Sequence, residues 1–321
     1  MIKRSGWRGA AAVVAVSVVL PLCGAQAAGR TTEAEAQARA AWREAIVQTP
    51  TPAGCFNAEY PSTSWKAVAC TVAPKRPYLP ARGHARYTVG DGNDFAAVTT
   101  GLISSTTGTF PKIKGLTSEN DGGTANSYSL QINSQFFNSP TCKGASNPAN
   151  CLGWEQFVYS SDSRAAFMQY WLIRYNNTCP SGWFTNSNDC YKNSAAVNVP
   201  LQAISQLGNL KLVGAAGATT DKLTMTTDTK AYKTSGPDSV VGLAAFWNGS
   251  EFNIIGDGDG SRATFNTGTS LTVKVALATG GTDAPTCKGN SGTTAETNNL
   301  NLGKCTAKGG KKPFINFVES N

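Results

Sequence analysis

Any hydrolytic chemistry in this chain must come from carboxylates and carboxamides. The only histidine is His84. It sits among prolines and basic residues, where an idle, solvated imidazole is the plain reading. A Ser/His/Asp or Cys/His device needs such an imidazole as its base. The polar side chains that interrupt apolar runs are Glu155, Gln156 and Gln169, with Gln131 and Asn133 upstream and Glu251 downstream. A carboxylate or carboxamide inside an apolar run needs a partner or a wet cleft, because burying it unpaired is costly. Two carboxylates on separate strands divide acid and base roles when their surroundings push their pKa values apart. Taken singly, each is better read as a structural acid.

The elements that position these groups read as strands. Residues 151–159 and 166–175 are rich in aromatic and β-branched side chains and flank the polar turn Ser160–Arg164, which predicts a hairpin. Both runs are apolar on nearly both faces, as in the interior of a sandwich. In 127–133, Tyr128, Leu130 and Ile132 share one face, while Ser129, Gln131 and Asn133 share the other. Glu251 opens the run 250–255. Further strands are expected at 95–103, 209–215, 221–227, 238–246, 263–267, 270–278 and 313–319. That number at near-regular spacing predicts an all-β domain over 87–321, a two-sheet sandwich or jelly roll. Residues 289–301 read as a polar loop.

The N-terminal part differs in kind. Lys3, Arg4 and Arg8, the apolar run 10–20 and Ala25-Gln26-Ala27 predict a signal peptide over 1–27. Export to the extracellular space or periplasm follows, with no later stretch apolar enough to span a membrane. Residues 31–47 read as a helix with a Thr32/Glu35 capping box. Residues 74–86 carry four prolines or glycines and several basic residues, and read as an exposed linker. The sharper reading makes 28–86 a prosegment removed by cutting near Arg76, Arg82 or Arg86.

Loss of the signal takes three of the 28 basic residues and none of the 20 acidic ones, so the net charge falls from +8 to +5. That is too modest, and too unpatterned, for a nucleic-acid groove. Eight cysteines then remain, an even number that predicts disulfides in an exported chain. They fall into local couples: Cys55–Cys70, Cys142–Cys151, Cys179–Cys190 and Cys287–Cys305. Zinc is the weaker reading, since no C-x-x-C occurs. Gly256-Asp257-Gly-Asp259-Gly260 opens like a calcium loop but lacks the downstream glutamate. An ordinary turn is the simpler account, and no metal or other cofactor is expected.

Trp154-Glu155, the aromatic strand Phe167-Met-Gln-Tyr-Trp171, the loop Cys179-Pro-Ser-Gly-Trp183 with Cys190-Tyr191, and Ser250-Glu251-Phe-Asn-Ile-Ile resemble the secreted neprosin and eqolisin glutamic peptidases. The resemblance implies a concanavalin-like β-sandwich and a secreted endopeptidase, made as a zymogen and acting at acid pH. Glu155 would be the general base on water and Glu251 the acid for the leaving nitrogen. Gln131, Gln156 or Gln169 would stabilise the oxyanion. The chain departs from the family where a second glutamate is expected four residues after Glu251: Ile255 stands there. The same architecture also hosts lectins and glycosidases. Trp154, Tyr159, Trp171, Trp183 and Asn133 suit sugar stacking and hydroxyl recognition as well as they suit a peptide. The partner is therefore a polypeptide or, alternatively, a glycan, met by a monomer with no nucleic-acid or membrane ligand.

Overall fold

A computed structural model describes residues 1–3, 6, 23–82 and 87–321, with side chains from residue 32 onward in the N-terminal helix. The expected signal peptide falls largely outside the described residues, as do His84 and Arg86. The helix spans Cys23–Gln48, beginning earlier than the Thr32 cap predicts. It crosses the boundary between two compact units, residues 1–38 and 39–321.

Residues 39–321 form a two-sheet β-sandwich. One sheet has 13 strands and the other 10. The last turns of the helix bury Trp42 and Ile46 against Ala58 and Ala231 of the larger sheet. Four disulfides pair the cysteines as sequence neighbours, Cys55–Cys70, Cys142–Cys151, Cys179–Cys190 and Cys287–Cys305. Such bonds are typical of extracellular proteins. No described helix is long and apolar enough to cross a membrane.

The smaller sheet carries the polar strand residues. Its central strands are Ser129–Ser134, Leu152–Ser160, Ala165–Ile173 and Gly249–Ile255. Leu152–Ser160 pairs antiparallel with Ala165–Ile173 over nine positions, confirming the hairpin. One face of this sheet packs on the larger sheet, and the rings show which. Phe157 presses on Gly214 and Phe252 on Gly108, where a Cβ would lie 2.5 and 2.2 Å from those rings. Only glycine allows that approach. Leu130, Ile132, Met168 and Leu172 share this buried layer.

Two expectations fail here. Residues 238–246 form two 3-10 turns instead of a strand. Asp238 accepts the Ala244 N–H, and Gly242 adopts φ +80°, so turn chemistry overrides the β-branched composition. Residues 297–301 of the supposed polar loop begin a strand, Thr297–Lys308, that pairs along Phe314–Ser320.

Candidate functional site

Strand alternation divides the polar residues between two faces. Glu251 lies opposite Asn133, Asn133 opposite Gln156, Gln156 opposite Gln169, and Gln169 opposite Asn193. Five polar side chains thus form one lateral row on the face turned away from the larger sheet. Beside it runs an aromatic row, Trp154, Trp171 and Tyr191. Gln131 lies on the same face, one row over, and donates through nothing but its amide to Ser129 at 3.0 Å while accepting from Gln156 at 2.9 Å. Trp171 Nε1 donates to Gln156 Oε1 at 2.9 Å and to Gln169 Oε1 at 3.1 Å.

Glu155 is not part of this row. It lies opposite Tyr170, whose hydroxyl sits over Gly236 of the larger sheet, so both point into the sandwich. The expected Glu155/Glu251 pair is therefore corrected: the two carboxyls face opposite sides of one sheet. Glu155 is fully buried, and no N–H or O–H reaches either oxygen. Burial, then the neighbouring acids Asp221 and Asp238, push its carboxyl well above the usual range. Tyr159 also belongs to the inner layer, edge-on to Tyr128. Trp183 packs half-buried against the main core and not with the aromatic row.

Glu251 sits at the floor of a cleft of about 310 Å³ that Phe136, Gln135, Lys288 and Asn290 also line. Asn133 Nδ2 donates to Glu251 Oε1 at 2.7 Å, and Thr293 donates through its N–H to Oε2 at 2.9 Å and its hydroxyl to Oε1 at 2.8 Å. Burial raises the carboxyl to about 7, and these hydrogen bonds keep it from rising further. Asn133 Oδ1 has no partner.

The segment expected to be an exposed linker is instead strapped across this face. Gln169 Oε1 accepts the Tyr78 N–H at 2.7 Å, and Gln169 Nε2 donates to the Arg76 carbonyl at 3.1 Å. Asn193 Nδ2 donates to the Pro74 carbonyl at 2.8 Å, and the Tyr191 hydroxyl to the Lys75 carbonyl at 3.2 Å. Glu296 Oε1 accepts the Leu79 N–H at 2.9 Å. The strap ends in a ladder in which Ala81 N–H reaches the Thr293 carbonyl and Ala295 N–H the Leu79 carbonyl. Carboxamides on the sheet thus supply the backbone bonds that a Pro-rich segment cannot make in a helix or strand of its own. Burial raises Glu296 to about 7.

Asp257 anchors the strap's centre. Its Oδ1 accepts the Tyr78 hydroxyl at 2.6 Å; its Oδ2 accepts the Ser160 hydroxyl at 3.0 Å and the Asp162 N–H at 2.9 Å. Burial raises this carboxyl to about 6. Arg76 pairs with Asp162 and lies against Gly258, where a Cβ would meet its side chain at 2.4 Å. The Asp257–Gly260 turn, read from sequence as a hairpin or calcium loop, thus grips the strap. Among the described residues, no group of three or more His, Cys, Asp or Glu is arranged to hold a metal.

Sequence reasoning missed Tyr78, Asn193, Thr293 and Glu296, and read Asp257 only as part of a turn or calcium loop. Only Asn193 had a legible signal, as a polar residue opposite Gln169 once the strand after Cys190 is drawn. No protein-family model matches the chain, and neither the curated proteins nor the solved structures contain a match to it.

Proposed function

We propose that this chain is the latent form of a secreted hydrolase of polypeptides, with the strap 74–81 lying in its substrate groove. The single observation that carries the reading is the bidentate grip of Gln169 on the strap backbone, one N–H and one carbonyl of an extended segment. A face that binds an extended backbone in this way is suited to a polypeptide, whatever its side chains.

The proposed chemistry is of the glutamic type and centres on Glu251. Its carboxylate takes a proton from a water in the cleft and returns it to the leaving nitrogen. Asn133 orients the carboxyl through its 2.7 Å hydrogen bond. Gln156, next in the row, is the carboxamide for the developing oxyanion. Gln169 binds substrate backbone, and Gln131 holds Gln156. Glu155 has no role in the reaction. The ascending limb of the rate lies between the ordinary 4.5 and about 7, because water entering the cleft weakens the burial that raises Glu251. The rate should therefore rise with pH through this range and be highest once Glu251 is ionised.

The test is hydrolysis of a denatured protein before and after the chain is cut within 82–86. Gain of activity on cutting supports the reading. One observation favours a second reading: Trp154, Trp171 and Tyr191 form a continuous aromatic row under the strap, a platform on which a sugar ring stacks. Glycan binding by the cut chain, with no cleavage of any protein, would decide for that alternative.

A further inference from the structure

The strap fills its groove with side chains as well as backbone. Tyr78 is fully buried. Its ring packs against Phe167 at 5.9 Å between centroids, with Val158, Ala165 and Ala196 completing an apolar wall. Its hydroxyl ends on Asp257, whose second oxygen is already held by Ser160 and the Asp162 N–H. These partners fix the carboxylate where a phenol, and nothing shorter, reaches it.

We infer that the groove contains a tyrosine subsite, formed by Val158, Phe167, Ser160 and Asp257, which selects polypeptide ligands carrying tyrosine in an extended segment. This rests on the polypeptide reading above and names its preferred sequence class. Leu79 follows on the aromatic row of Trp154 and Trp171, so a bulky aliphatic residue after the tyrosine fits the neighbouring position. Phenylalanine would fill the apolar wall but remove the one hydrogen bond to Asp257 Oδ1, leaving only the Arg76 guanidinium 3.9 Å away. A buried group built to receive a hydroxyl discriminates strongly against a ligand that lacks it. The selection of tyrosine over phenylalanine should be about 10- to 100-fold in affinity, the range for losing a hydrogen bond to a charged group.

The experiment uses the full chain carrying Tyr78→Ala, which empties the subsite, titrated with a peptide of the sequence Lys-Arg-Pro-Tyr-Leu-Pro-Ala and its Tyr→Phe and Tyr→Ala forms. Binding is read by calorimetry and by quenching of tryptophan fluorescence. The tyrosine peptide should bind at least about tenfold more tightly than the phenylalanine peptide, and the difference should vanish in Tyr78→Ala/Asp257→Asn. Equal affinities for the two peptides, or no binding by a chain that circular dichroism shows to be folded, overturn the subsite. If Tyr78→Ala does not fold, the wild-type chain cut within 82–86, from which the strap can dissociate, serves for the same titration. Tyrosine-selective binding without cleavage of any substrate sinks the hydrolase reading and leaves the subsite standing. Cleavage without preference for tyrosine does the reverse.

Discussion

Glu319 places a fully buried carboxyl near the end of the strand Phe314–Ser320. Asn253 Nδ2 donates to its Oε2 at 3.1 Å and to Asp94 Oδ2 at 2.8 Å, so one amide is shared between two acids. Burial raises Glu319 from 4.5 to about 8. Burial, Glu251 and Glu319 raise Asp94 well above its usual range. The sign is fixed by linkage: the folded state holds this proton more tightly than the unfolded chain does. The stabilisation is therefore complete below about 4.5 and is lost as pH rises through about 8. At ~1.4 kcal/mol per pH unit in the window between those values, Glu319 contributes about 3 kcal/mol to the change between about pH 8 and about pH 5. Urea unfolding of the disulfide-intact protein across that range should show stability rising as pH falls. Glu319→Gln keeps an acceptor for Asn253 and cannot ionise. Its stability should stay close to wild type at about pH 5 and exceed it by up to about 3 kcal/mol at about pH 8. Parallel curves for the two proteins, or wild-type stability that rises with pH, would refute the reasoning.

Three further outcomes are expected. Glu155→Gln should leave activity unchanged and alter stability by less than about 1 kcal/mol below neutrality, because burial and the neighbouring acids already favour the neutral form of the carboxyl it replaces; urea unfolding and a hydrolysis assay check both. Gln169→Ala removes the two backbone grips on the strap, so limited proteolysis should cut within 74–82 at least about tenfold faster than in wild type, as for two lost hydrogen bonds of about 1 kcal/mol each. Non-reducing peptide mapping should recover the four neighbour disulfides, and a bridge such as Cys70 to Cys287 would contradict the fold.

The hairpin was legible because two aromatic runs flank one polar turn, and its observed strands begin and end within two residues of the expected ones. The polar face of Ser129–Ser134 was legible because its alternation is clean. Choosing between Glu155 and Gln156 was not possible from sequence. Both neighbours, Trp154 and Phe157, are large and apolar, and a shift of one residue exchanges the faces. The parity is set by Gly214 and Gly108, far along the chain, where the rings of Phe157 and Phe252 are received. The strap was misread for a related reason. Its prolines and arginines describe a segment without partners of its own kind, whereas its partners are side chains of Gln169, Asn193 and Glu296, far along the chain. Local composition carries no trace of such long-range hydrogen bonds.

The central claim is that Glu251, and not Glu155, works in a polypeptide groove which the strap closes. The most direct measurement is the rate of cleavage of a denatured protein by Tyr78→Ala, by Tyr78→Ala/Glu251→Gln and by Tyr78→Ala/Glu155→Gln, from about pH 3 to about pH 8. The account predicts cleavage by the first at a rate that rises with pH between about 4.5 and about 7, insensitive to serine-, cysteine- and metal-directed inhibitors. It predicts a loss of at least about a hundredfold in the second, the scale of removing an acid–base group, and no loss in the third. Equal rates with and without Glu251, or no cleavage by a folded Tyr78→Ala chain at any pH in that range, would contradict it.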